Sequence, residues 1–225
     1  MSPYPAEHQF YGLPEEQRRA FQLRLGAIVA VGLLACGALF YVIWPGLLVV
    51  IFLAMGVTLS VVAPFFDVPA MVRRGKLRYY APFLLAEPVK DGVMTLHGGT
   101  LFDYYFTLAP AATGAQRRRR VVRGYLEGLL AILDDQPDPV VLRGTSYIIR
   151  QATAKRLGFR SVPTEGLRGL VLILNFLPLT VSLSYVRRTL TWPRLRRMST
   201  FEATVGELRT HRAYLETVLR RLDRS

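Results

Sequence analysis

Cysteine occurs once in this 225-residue chain, as Cys36, and histidine three times, as His8, His97 and His211. One thiol cannot close an intramolecular disulfide, and so small a set of soft ligands excludes a multi-cysteine zinc or iron–sulfur centre. The motifs HExxH, GxSxG, GxGxxG and the Walker loop are also missing, which removes the commonest metalloprotease, nucleophile-elbow and nucleotide-cradle chemistries. The longest absence is of charge: from Leu25 to Phe66, 42 residues pass without an Asp, Glu, Lys, Arg or His.

That stretch is broken only by Trp44-Pro45-Gly46, which leaves Leu25 to Trp44 and Leu47 to Phe66 at 20 residues each. At about 1.5 Å per residue each matches a hydrocarbon core of roughly 30 Å, so the pattern predicts a two-helix transmembrane hairpin over 25–66. Glu7, Glu15 and Glu16 precede it and the apolar run exceeds a signal-peptide core, which argues against a cleaved leader. Arg18, Arg19 and Arg24 lie before the hairpin and Arg73, Arg74, Lys76 and Arg78 after it, while the turn is uncharged. The positive-inside tendency then predicts an integral inner or plasma membrane protein with both termini cytosolic and with Phe40, Tyr41 and Trp44 at the far interface.

What is abundant is positive charge. The chain has 29 Lys+Arg against 16 Asp+Glu; residues 67–225 hold 26 of the former and 13 of the latter, and hence the whole +13. A basic domain beside an anionic leaflet is attracted to it, at roughly 1 kcal/mol per well-placed cation. Nucleic acid competes as a partner for such charge, but no nucleic-acid-binding signature accompanies it, so membrane lipid is the expected target.

The pattern divides the chain into a cytosolic segment (1–24), the hairpin (25–66), a basic and aromatic juxtamembrane collar (67–91), a cytosolic α+β domain (92–198) and a long C-terminal amphipathic helix (199–225). Val93 to His97 and Thr100 to Leu108 around Gly98-Gly99 predict a β-hairpin. Arg117 to Asp134 predicts a helix, Val140 to Leu142 a buried strand, Ser146 to Leu157 a helix closed by Gly158, and Phe159 the start of another extended piece. In Gly169 to Val186 the run Leu170 to Leu174 and the alternation of Val181, Leu183 and Tyr185 with Thr180, Ser182 and Ser184 predict buried strands, with an interfacial hydrophobic segment as the alternative. Ser199-Thr200-Phe201-Glu202 has capping-box spacing. The last helix would follow it, with Phe201, Val205, Leu208, Leu215, Leu219 and Leu222 on a seam interrupted by Arg212. That seam packs either on its own domain or against a protein partner or second copy.

Residues with chemical potential are few. His97 with Asp103 is the most enzyme-like pair, and Ser146 with Tyr147 at an expected helix start could meet an anionic group. Arg117, Arg118, Arg119, Arg120 and Arg123 crowd the positive end of the expected helix, against its dipole, which is explicable if they gather anions, as Arg73, Arg74, Lys76 and Arg78 would in the collar. The run Tyr105-Phe106-Thr107-Leu108-Ala109-Pro110, the basic helix, Val140-Val141-Leu142 and Ala152 to Phe159 together resemble the second half of a GNAT-type acetyltransferase domain over about 55 residues. The resemblance implies acetyl-coenzyme A as cofactor; in place of that family's glycine-rich phosphate loop, Gln116 to Arg123 carries four consecutive arginines. The residues themselves predict no cofactor and no metal. The expected role is that of a membrane-anchored interaction or accessory subunit; the alternative is a membrane-bound transferase acting on an acyl or lipid-linked substrate.

Overall fold

The computed structural model describes residues 5–44, 46, 48–146, 149, 151–163, 175–193 and 199–224. A short turn of helix, α1 (Gln9–Gly12), leads into α2 (Glu15–Ile43), whose most apolar 18 residues have a mean hydropathy of 2.4 and are not covered by the rest of the protein. α2 is long and apolar enough to cross a membrane. It packs along α3 (Leu48–Val62), which at 15 residues is about 22 Å long and so falls short of a bilayer core. Only when joined to α4 (Pro64–Arg73), from which it is bent by 44°, does α3 reach the length of a span. The bend falls where Pro64 opens α4, a position whose missing N–H removes a bond from the helical ladder.

Beyond α4 lies an α+β domain built on one mixed sheet of six strands: β1 (Arg78–Ala81), β2 (Leu84–Ala86), β3 (Val93–Gly98), β4 (Val141–Ser146), β5 (Arg160–Val162) and β6 (Ser199–Thr204), in the order β1-β2-β3-β4-β6-β5. β3 and β4 run parallel, so the chain must cross over between them; every other pair is antiparallel. The crossover carries α5 (Leu101–Thr107) and α6 (Gly114–Asp135). α7 (Gln151–Arg156) joins β4 to β5, α8 (Phe176–Arg187) lies between β5 and β6, and α9 (Val205–Thr210) and α10 (Arg212–Arg224) close the chain.

The main core lies where α6 covers the sheet: Leu126, Leu129, Ile132 and Leu133 meet Ala81, Leu84, Ala86, Met94 and Leu142, and Leu208 and Leu215 seal the end. Two glycines set the approach of α6. A Cβ at Gly124 would stand 2.7 Å from Phe83 Cδ2, and one at Gly128 2.7 Å from Leu84 Cβ. The seam residues Leu208, Leu215, Leu219 and Leu222 thus pack on this domain's own core.

Four sequence expectations are corrected. Thr100 to Leu108 is not the second arm of a β-hairpin: Thr100 caps α5, with the Asp103 side chain returning to the Thr100 N–H. The helix is buried on several sides, Phe102 and Phe106 in one cluster and Tyr104 in another, so it shows no amphipathic period. The 67–91 stretch, expected as a juxtamembrane collar ahead of the α+β domain, supplies β1 and β2 to that domain's sheet, with Tyr79, Ala81, Leu84, Leu85 and Ala86 buried.

Val181, Leu183 and Tyr185 lie on helix α8, not on a strand; Pro178 sits in its first turn, where no N–H is needed. The expected strand Leu170 to Leu174 falls outside the described residues. Finally, Ser199 to Glu202 is not a helix start but part of β6, held between β4 and β5. The cap lies five residues on, where Thr204 and Glu207 repeat the spacing, and the C-terminal helix is broken at His211 into α9 and α10.

Candidate functional site

The junction between the apolar helices and the sheet domain is aromatic. Phe21 of α2 and Phe65 of α4 stand 6.2 Å apart between ring centroids, Phe21 meets Phe106 at 5.1 Å, and Phe65 meets Phe102 at 5.7 Å. Gln22 donates from Nε2 to the Phe65 carbonyl at 2.8 Å, tying α2 to α4. Rings of this size with one backbone tie make a stiff joint, because each buried aromatic contributes a large apolar area in one orientation.

At the floor of this joint lies a buried polar cluster. Asp103 accepts from the Tyr79 hydroxyl at 2.5 Å, from the Thr100 N–H at 2.6 Å and from the Thr100 hydroxyl at 2.8 Å. His8 Nε2 stands 3.4 Å from Asp103 Oδ1, its ring stacked on Phe106 and tilted against Tyr11 and Phe102, and both the His8 and Asp103 side chains are fully excluded from solvent. Burial, then the Asp103 carboxylate and Tyr11, push the Tyr79 phenol far above its ordinary range. An acid with three donors already on it and no solvent access ties α5 to β1 and lies against His8 at the start of α1; it is not placed to take a proton from a substrate. The spacing Thr100-x-x-Asp103 was the sequence signal for this helix start, whereas nothing local marked His8 or Tyr79.

His97 is not brought to Asp103. It is exposed at the end of β3, with Nε2 2.7 Å from Glu87 Oε1. Ser146 ends strand β4 rather than opening a helix, and its hydroxyl accepts from the Ile149 N–H at 3.2 Å; the next described helix is α7. Tyr147 lies outside the described residues. Among the described residues no group of three His, Cys, Asp or Glu side chains could hold a metal ion.

The arginine run divides by position on α6. Arg117 is buried: Nη1 donates to the Tyr185 carbonyl at 2.8 Å, Nη2 to the Ala109 and Pro110 carbonyls at 3.2 and 3.1 Å, and the guanidinium lies 4.6 Å from the centre of the Tyr185 ring. It is a bracket between the α5–α6 loop and α8, which corrects its assignment as an anion ligand. Arg120 pairs with Glu7, and Arg123 pairs with Glu127 at 2.6 Å and Asp223 at 2.9 Å. Arg78 pairs with Asp135 at 2.8 Å. Arg118, Arg119, Arg73, Arg74 and Lys76 make no ion pair among the described residues, and all but the half-buried Arg119 are exposed.

The first turn of α6, where the acetyltransferase resemblance would seat a pyrophosphate, is covered. A Cβ on Gly114 would lie 2.2 Å from the Arg187 carbonyl oxygen, so the end of α8 sits directly on it.

α8 itself is turned inside out. It packs against α3, α5 and α6 and buries Thr180, Ser182 and Val186, while Leu177 and Val181, one turn apart, are 40% and 38% exposed. Its C-cap Arg188 takes a left-handed conformation (φ 57°), and the chain returns along the helix, with the Thr191 N–H donating to the Ser184 hydroxyl at 3.0 Å. The strap ends with Trp192 stacked on Phe176 at 5.9 Å. Comparison of the chain with family models, with curated proteins and with solved structures finds no match.

Proposed function

We propose that this chain is a membrane-anchored interaction or accessory protein. In this reading α2, and α3 together with the start of α4, form a two-pass hairpin in an inner or plasma membrane with both termini cytosolic. The basic domain works at the anionic leaflet, on its lipids or on a membrane-protein partner. One observation carries the reading: α2, whose most apolar 18 residues are uncovered, and the charge-free α3 are joined through a packed aromatic joint to a domain that holds the whole net charge of +13. A stiff joint keeps that domain close to the leaflet, where cations act within about one Debye length. Of the cations expected to gather anions, Arg73, Arg74, Lys76, Arg118 and Arg119 are those that make no ion pair among the described residues. The transferase alternative needs His97 and Asp103 in one cleft, and their separation gives it no support.

Two measurements test the proposal on the full chain. In a Cys36→Ala background, Gly46→Cys should be labelled from outside intact cells and Ser225→Cys only after permeabilisation; external labelling of Ser225→Cys would refute the topology. Detergent-solubilised protein should retain added anionic lipid in native mass spectrometry, less so at high salt. Changing these five cations to Gln should weaken retention of that lipid without loss of folding. Equal lipid retention by the variant would refute the role assigned to those cations.

A further inference from the structure

The membrane reading leaves α8 and its returning strap without a role, and their surface is unusual for a domain in water. A helix on an aqueous surface turns its aliphatic side chains inward and its hydroxyls outward. α8 does the reverse at four positions: Thr180 and Ser182 are buried, Leu177 and Val181 are exposed. The strap adds Leu190 at 72% and Trp192 at 56% exposure, next to Phe176. Arg187 and Arg188 are exposed at the C-terminal end of α8, the end opposite Phe176 and Trp192, and Arg188 Nη1 also donates to the Pro110 and Ala112 carbonyls at 3.4 and 3.3 Å.

We propose that α8 and the 188–192 strap are a membrane-seating element: Leu177, Val181, Leu190 and Trp192 insert into the cytosolic leaflet beside α3, and Arg187 and Arg188 meet its anionic headgroups. The proposal rests on the membrane reading of α2 and α3. Three observations choose lipid over a protein partner. α8 packs against α3, whose Val49, Phe52, Leu53 and Leu59 are exposed, so its apolar positions continue the apolar surface of that helix. The aromatic and cationic groups flank the aliphatic ones in the order that a headgroup boundary selects. The hydroxyls that would otherwise weaken such a face are turned onto the protein, and Thr180 spends its donor on the Phe176 carbonyl at 2.8 Å. The domain is then held to the leaflet at a second place besides α2 and α3, which fixes its orientation as well as its distance. Arg117 is the bracket that sets α8 in this pose, through the Tyr185 carbonyl.

The chain has two tryptophans, Trp44 at the hairpin turn and Trp192 on the strap, so each can be read alone. Full-length protein is reconstituted in vesicles containing phosphatidylglycerol and lipid brominated either near the headgroup end of the acyl chain or near its middle. In a Trp44→Phe background, Trp192 should be quenched most by the shallow bromines, as expected for insertion of about 5–10 Å, and shielded from aqueous iodide. Adding Leu177→Asn and Val181→Asn, both at exposed positions, should reverse that preference toward iodide.

In a Trp192→Phe background, Trp44 reports the hairpin by the same quenchers. Quenching of Trp44 but not of Trp192 would overturn the seating element and leave the hairpin standing; no bromine quenching of either would overturn the hairpin reading itself. A Trp192 shielded from both bromine and iodide would assign the face to a protein partner and overturn the lipid assignment.

Discussion

Arg117 offers the sharpest test, because four neighbouring arginines of the same type occupy other environments on the same helix. Replacing Arg117 by Ala withdraws donors from three carbonyls, those of Ala109, Pro110 and Tyr185, and removes the cation from the face of the Tyr185 ring. An orphaned buried acceptor costs about 1–3 kcal/mol, and hydrogen bonds to a charged donor lie toward the upper end. The loop carbonyls lie close enough to the surface to regain water, so the net loss should be about 2–4 kcal/mol. For a chain of this size that corresponds to a fall in Tm of about 5–12 °C.

Arg118→Ala, at an exposed position without an ion pair, should change stability by no more than about 0.5 kcal/mol. Circular dichroism melts in detergent compare the two, and hydrogen exchange locates the damage: amides of α8 should lose protection in Arg117→Ala before those of α6. Arg117→Lys should lose less than Arg117→Ala but not match the parent protein, since one ammonium cannot span the same three carbonyls. Equal melting of Arg117→Ala and Arg118→Ala, with α8 still protected, would refute the bracket.

Three further outcomes are expected. Gly128→Ala should destabilise by about 1–3 kcal/mol on denaturant titration, although Ala favours an isolated helix by about 1 kcal/mol over Gly, because its Cβ meets Leu84 Cβ and Ala81 Cβ rather than open space. A stabilised variant would show that α6 can lift from the sheet. Alkaline stability should fall from about pH 10 upward: Tyr79 keeps its proton in the folded state after the unfolded chain has lost it, and Tyr80 is pushed up to about 12 by burial and the Asp135 carboxylate. The unfolded state then binds fewer protons, so each such group removes about 1.4 kcal/mol per pH unit. Tyr79→Phe should flatten the slope by one group, and an unchanged slope would count against the buried phenol. His97→Ala should alter stability by about 0.5 kcal/mol or less, since its pair with Glu87 is exposed; a folded but functionally dead His97→Ala protein would revive the transferase reading.

The chain determined by itself whatever depends on local composition. Forty-two residues without charge specify the apolar part of α2 and the apolar character of α3 regardless of what packs on them, and the segregation of +13 into the rest needs no fold to be read. The helix over α6 was legible because its one buried face repeats at the helical period, and Val140 to Leu142 because a short apolar run in a central strand has few alternatives. Tertiary structure decided the elements whose surroundings are not one-sided.

α5 is buried on several faces and so shows no period. α8 buries hydroxyls and exposes aliphatics, which reads along the sequence as the alternation of a strand. The 199–204 segment has a capping-box spacing of its own, but pairing with β4 and β5 offers its backbone more hydrogen bonds than a helix end would. Arg117 looks identical to Arg118 in the sequence; one residue of rotation on α6, about 100°, turns the first onto the Tyr185 carbonyl and the second into solvent. His8 and Asp103 are 95 positions apart and meet only because the joint between helices and sheet brings α1 over α5. Contacts of that kind follow from which faces remain to be covered once every element has formed, and no local pattern encodes them.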